Sequence, residues 1–173
     1  MRMQPKDEPL GWLTFAQNSE TTNYVDLAYL LALSIKSTCK HNRFAVVVDA
    51  ESEATITEQQ RKTFDHIITV PRTEPFYNEA WVMNVTPFKE TFKVESDMLI
   101  PRSLDHWWNG CRLQDVCYTN SVRDYQGNIA QTRYYRKFFD ANSLDDAYNG
   151  FSYFRFSRTS VDFCRAVEQA IHH

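Results

Sequence analysis

Glu95-Ser96-Asp97 breaks into an otherwise apolar run, which reads KETFKVESDMLIP from Lys89 to Pro101. If that run is a β-strand, residues i and i+2 point to the same side, so Glu95 and Asp97 face together while Val94, Ser96 and Met98 face away. Two carboxylates on one face repel each other unless a cation lies between them. Their hard oxygens suit Mg²⁺ or Mn²⁺, and such an ion could join the protein to a diphosphate. The ordinary alternative is a strand end whose carboxylates meet water, and spacing alone leaves the two readings level.

The glycines sharpen the question. Gly11, Gly110, Gly127 and Gly150 are too scattered for a dinucleotide-binding or Walker-type loop, so a bound nucleotide would need another way to neutralise its phosphates. Further polar candidates stand where apolar runs end. Gln17 and Asn18 follow the first such run and Asp49 follows the second. Taken singly, each is more simply a loop or helix cap; together they outline a possible nucleotide edge. Trp107-Trp108, after Asp105-His106, could stack on a base or sugar but reads better as core packing. Arg133, Arg136 and Lys137, interleaved with Tyr134, Tyr135, Phe138 and Phe139, could meet phosphate or a nucleic-acid acceptor, although a solvated basic helix face is the simpler reading. No G-x-S-x-G and no Cys/His arrangement marks a nucleophilic hydrolase. The four cysteines form no C-x-x-C pair, which points to reduced, mostly buried thiols and away from structural zinc. Asn84-Val85-Thr86 matches a glycosylation sequon, and with Pro87 following it carries no weight.

Elements must position these groups, and 173 residues allow one domain with one substantial core. The apolar share of 43%, the aromatic share of 14% and interspersed charges describe a folded chain with a ring-rich interior. A net charge of -3 gives no general attraction to nucleic acid. No apolar run approaches the ~18 residues of a membrane span, and MRMQPKDEPLGW lacks the apolar centre of a signal peptide, so a cytoplasmic protein with no membrane partner is expected.

Residues 1–10 are expected to form a tail. Gly11 to Asn18 then reads as a first strand, followed by a helix from Tyr24 to Cys39 with Asn23 as N-cap; its apolar residues cover most of the circumference, as for a helix packed between layers. Arg43 to Ala50 is a β-branched run, expected to be a strand buried on both faces. Thr57-Glu58-Gln59-Gln60 is a capping box opening a short helix, and His66 to Pro71 is the next strand. An irregular connection, with a helical turn around Asn78 to Asn84, leads to the acidic strand at Thr91 to Ile100. Beyond it come a strand at Asp115 to Arg123 with a turn at Tyr125 to Asn128, a short helix at Thr132 to Asp140, a strand at Gly150 to Ser157 and an amphipathic helix at Ser160 to Ile171. The alternating β/α beginning and looser second half imply an α/β fold with a mixed, mostly parallel sheet.

With these residues in place, TPFKETFKVESDMLIP (Thr86 to Pro101) resembles GT-A-type glycosyltransferases, in which a proline-aromatic turn precedes an apolar strand ending in a DxD motif. Glu95-Ser96-Asp97 occupies the DxD place. Asp146 to Phe154 (DAYNGFSYF) resembles the Asn-small-Gly-apolar strand that those enzymes set beside sugar and acceptor. From Trp12 to Phe163 the combination is similar to glycosyltransferase-like proteins of large tailed bacteriophages. The resemblance implies a single-domain, Rossmann-like GT-A fold with a nucleotide-binding half at about 11–101 and an acceptor-side half at about 102–173. It further implies Mn²⁺ or Mg²⁺ on Asp97 and Glu95 around Ser96, a nucleotide-diphosphate sugar as donor, nucleoside contacts from Gln17, Asn18 and Asp49, and sugar or acceptor contacts from Asn149 and Gly150. Modified DNA, protein and glycan all remain open as acceptor.

This sequence departs from the pattern at three points: Glu95 stands where aspartate is usual, the chain is short, and His172 and His173 lie at the extreme end. Two expectations from different classes follow. One is a metal-dependent glycosyltransferase; the other is a shortened GT-A-like module that binds without transferring.

Overall fold

The computed structural model describes residues 3–72, 77–120, 122–123, 126–128, 141–144 and 147–171. Among them, six strands form one sheet: β1 (Glu8–Phe15), β2 (Phe44–Val48), β3 (His66–Thr69), β4 (Phe88–Val94), β5 (Val116–Asn120) and β6 (Ala147–Arg155), in the order β3-β2-β1-β4-β6-β5. β1 to β4 are mutually parallel, whereas β6 runs antiparallel to β4 and β5 antiparallel to β6. The helices are α1 (Tyr24–Thr38), α2 (Ala50–Ala54), α3 (Glu58–Thr63), α4 (Val82–Val85), preceded by a 3-10 turn at Tyr77–Trp81, α5 (Asp105–Cys111) and α6 (Arg158–Ile171). The mixed, mostly parallel α/β architecture is the expected one.

Local chemistry explains the first half. Asn23 Oδ1 accepts from the Asp26 amide at 3.1 Å and starts α1. Thr57 Oγ1 accepts from the Gln60 amide while Gln60 Oε1 accepts from the Thr57 amide, the reciprocal capping box that opens α3. All five residues of β2 are buried, as a strand covered on both faces must be.

Two apolar layers sandwich the sheet. On one face Trp12, Phe44, Val46, Phe92, Trp108 and Tyr153 pack with Ala28, Leu31 and Ile35 of α1. Phe92 lies 3.9 Å from Trp108 and 5.1 Å from Trp12, centroid to centroid, so the tryptophan pair supplies core, as expected, through Trp108. On the other face Leu13, Ala45, Val47 and Phe88 pack with Met83, Val85 and Cys164 from α4 and α6.

Four expectations need correction. Residues 8–10, expected in a tail, belong to β1, where Glu8 and Leu10 pair with Phe88 and Glu90 of β4, and the strand ends at Phe15 and not at Asn18. α1 is not enclosed between layers, since Leu30 is 52% and Leu33 41% exposed. Asp105 to Trp108, to which the sequence reading gave no element, opens α5, where Asp105 accepts from the Lys40 and His41 amides and fastens this helix to the end of α1. The acidic strand stops at Val94 and not at Ile100. Its apolar continuation has another purpose: Ile100 is buried against α1, its amide donating to Ser34 Oγ at 3.0 Å and its carbonyl accepting from Thr38 Oγ1 at 3.1 Å. The basic aromatic helix (Arg133, Arg136, Lys137, Tyr134, Tyr135, Phe138, Phe139), Asp146, His172 and His173 lie outside the described residues.

Candidate functional site

Because β1 to β4 are parallel, their C-terminal ends reach the same edge of the sheet, where open α/β sheets bind ligands. Gln17, Asn18, Asp49, Glu95 and Asp97 all lie just beyond those ends. β6, running the other way, starts at that edge with Tyr148, Asn149 and Gly150.

Glu95 and Asp97 do not share a strand face. Glu95 is the first residue after β4 and Asp97 sits in the turn that follows, closed by the Met98 amide donating to the Glu95 carbonyl at 3.3 Å. Asp97 is exposed, Glu95 half-buried, and Ser96 between them is 6% exposed. The rigidity of this corner comes from below. Thr14 Oγ1 donates to the Val94 carbonyl at 2.8 Å, the Glu95 amide donates to the Gly150 carbonyl at 2.9 Å, and the buried Lys93 donates its Nζ to the Asn149 carbonyl at 3.0 Å. Asn149 and Gly150, which lie over fifty residues away in sequence, are thereby fixed beside the acidic turn.

The nucleoside-side candidates are held by the protein itself. Asp49 is 2% exposed; Oδ1 caps α2 through the Ser52 amide at 2.7 Å and Oδ2 accepts from Arg72 Nη1 at 3.1 Å. Asn18 accepts the Val25 amide on Oδ1, donates Nδ2 to Thr55, and takes Arg72 Nη2 on its carbonyl. Gln17 Oε1 accepts from Asn78 at 2.7 Å, while its buried Nε2 has no partner among the described residues. A polar atom buried without a partner is costly, so Gln17 Nε2 is a strained point behind this edge.

Two residues at the edge escaped the sequence reading. Arg72 ties the loops after β1, β2 and β3 together, and only its place after a strand could have marked it. Tyr148 donates its hydroxyl to Glu95 Oε2 at 3.1 Å, a contact that needs the antiparallel pairing of β4 with β6 and has no local signal. On the α6 side, a pocket of about 220 Å³ lined by Tyr118, Phe154, Phe163, Cys164 and Val167 reaches Asn149. Burial pushes the Cys164 thiol up to about 11, so this wall offers no thiolate at neutral pH.

The acidic turn is the place at this edge where a hard cation would find oxygen ligands. Glu95 and Asp97 supply two carboxylates, and no group of three or more His, Cys, Asp or Glu side chains suited to a metal occurs among the described residues. That donor set matches an ion held by one or two carboxylates and completed by phosphate oxygens and water, and not an all-protein cage.

No protein-family profile matches this sequence, and no curated protein is similar to it. Solved structures are similar in fold. A bifunctional glycosyltransferase, WbbM, in its apo form superposes over 96% of this chain with a TM-score of 0.58 and 12% identity. Mouse xyloside xylosyltransferase 1, also apo, superposes over 92% with 0.57 and 8%. The 4-diphosphocytidyl-2C-methyl-D-erythritol synthase of Anaerococcus prevotii superposes over 96% with 0.50 and 10%. The chain spans 36% of the WbbM structure, 73% of the xylosyltransferase and 76% of the synthase. No described helix is long and apolar enough to cross a membrane. The chain has a single-domain, Rossmann-like fold of the GT-A glycosyltransferase type.

Proposed function

We propose that this protein binds a nucleotide-diphosphate sugar across the C-terminal strand ends and transfers the sugar to an acceptor. The observation that carries the reading is the acidic turn Glu95–Asp97 at the end of β4, with the start of β6 hydrogen-bonded against it, in a fold shared with glycosyltransferases. Residues 11–101 form the donor side and residues 102–173 the acceptor side. Asp97, exposed, and Glu95, half-buried, would hold Mn²⁺ or Mg²⁺. The bound ion would neutralise the diphosphate and stabilise it as leaving group.

The chain's own residues do the positioning. Lys93 and the Glu95 amide fix Asn149 and Gly150 where the sugar would lie, and Gln17 and Asn18 border the nucleoside side, held by Asn78 and Arg72. Asp49 acts one step back, holding Arg72 and the start of α2, which shape the nucleoside edge.

A thermal-shift panel of nucleoside diphosphates with and without Mn²⁺ tests this. A ligand at a hundred times its Kd should add about 2.7 kcal/mol of stability, and the gain should require metal. The glutamate at position 95, where the DxD pattern has aspartate, favours, as a second reading, a GT-A-like module without transfer activity. If no nucleotide stabilises the protein at millimolar concentration with Mn²⁺ present, glycosyl transfer is rejected and the module reading takes its place.

A further inference from the structure

Gly150 has no room for a side chain, because a Cβ there would lie 2.4 Å from Cε1, Cζ and Oη of Tyr148. The tyrosine ring is folded directly over the glycine. β6 is irregular at this point: Tyr118 pairs with Ser152, yet the next residue, Thr119, pairs with Tyr148. Thr119 Oγ1 closes the bulge, bonding the carbonyls of Tyr148 at 3.3 Å and Phe151 at 3.0 Å. Bulges beside ligand sites re-aim side chains, and here the side chain re-aimed is Tyr148, whose hydroxyl reaches Glu95 Oε2 at 3.1 Å.

We infer that Tyr148 is the positioning residue for Glu95: its hydroxyl holds one carboxylate oxygen and leaves the other to a divalent cation shared with the donor diphosphate. This rests on the function proposed above and extends it. Carboxylates that ligate metals are commonly hydrogen-bonded themselves, and removing such a partner typically weakens metal binding about 10- to 100-fold. Gly150 then serves the site by its lack of a side chain, since only glycine lets the ring cross to Glu95. Glutamate, with one more rotatable bond than aspartate, is also the carboxylate that most needs such a tether.

Tyr148→Phe keeps the ring over Gly150 and removes only the hydroxyl. Free Mn²⁺ is followed by its electron paramagnetic resonance signal in the presence of UDP, GDP, CDP or ADP, whichever stabilises the wild type most. The variant should bind Mn²⁺ about 10- to 100-fold more weakly while its affinity for the nucleotide without metal is unchanged. In a Glu95→Gln background the same substitution should cost nothing further, because the two residues act as one unit. Gly150→Ala, which displaces the ring but keeps the hydroxyl, should reproduce the loss. Mn²⁺ binding within about two-fold of wild type in Tyr148→Phe, or an equal loss in the Glu95→Gln background, would show that Tyr148 only packs. Either result overturns this role while leaving the proposed function standing, whereas a wild type that binds no Mn²⁺ with any of the nucleotides overturns both.

Discussion

Gly11 lies in β1 opposite Thr91 of β4, and the Phe88 ring covers it so closely that an added Cβ would meet Cζ at 2.4 Å and the two Cε atoms at 2.5 and 2.7 Å. Phe88 is fully buried, packed with Leu13, Met83 and Val85, so the ring has no solvent to swing into. Gly11→Ala must therefore move core atoms or separate the two strands. Overpacking of this kind costs about 1–3 kcal/mol, and the rigidity of the ring places this case in the upper half. At about 2–4 °C per kcal/mol for a chain of this length, the melting temperature should fall by about 4–12 °C. The assay is thermal unfolding followed by circular dichroism, with Phe88→Leu and the double variant measured beside it. The smaller side chain makes room for the methyl group, so the double variant should be more stable than the sum of the single losses by about 1–2 kcal/mol. A Gly11→Ala melting temperature within about 1 °C of wild type, or strict additivity, would refute the β1–β4 packing that decides where Glu95 and Asp97 emerge.

Two further outcomes test the supports of the sheet. Arg43 donates Nε and Nη2 to the two oxygens of Glu8, at 2.8 and 2.7 Å, which holds the Glu8 carboxyl down from its ordinary value of 4.5 to about 2. A carboxyl held low contributes stability above its unfolded value that is lost as pH falls; after screening at the half-exposed guanidinium, about 1 kcal/mol is at stake. Glu8→Gln should accordingly be less stable than wild type at pH 7, with the gap closing between pH 4.5 and about 2 in urea titrations; a gap constant across that range would contradict the pairing. At the nucleoside edge, Asp49→Asn retains the cap on α2 but weakens the link to Arg72, whereas Asp49→Ala loses both. Asp49→Ala should cost about 1–2 kcal/mol and Asp49→Asn less than half of that, and equal losses would mean that the cap contributes nothing.

How far the sequence could be read depended on the range of the interactions involved. The starts of α1 and α3 were legible because Asn23, Thr57 and Gln60 bond within three residues of themselves. β2 was legible because an unbroken β-branched run has few homes other than a doubly covered strand. The end of β4 was not, since Ile100, at the end of the apolar run, bonds Ser34 and Thr38 more than sixty positions earlier. At the site, the acidic pair could be singled out by residue type, although not by a shared strand face, and Gly150 only through the family resemblance. The reason for Gly150 could not, because it lies in a bulge and in a ring folded over it from two residues away. Asp49 shows the same limit from the other direction: its place at a strand end was legible, but its two bonded oxygens were not.

The most direct measurement is calorimetric titration of Mn²⁺ into wild type and Asp97→Ala, each with and without the nucleoside diphosphate that stabilises the wild type most. The expected result is that wild type binds Mn²⁺ tightly only with the nucleotide present, since phosphate oxygens would complete the ion's coordination beside Glu95 and Asp97, and that Asp97→Ala, altering an exposed side chain, keeps its melting temperature but loses this linked binding at least about ten-fold. Equal Mn²⁺ affinity in the two proteins with nucleotide bound would contradict a metal-diphosphate site at the end of β4.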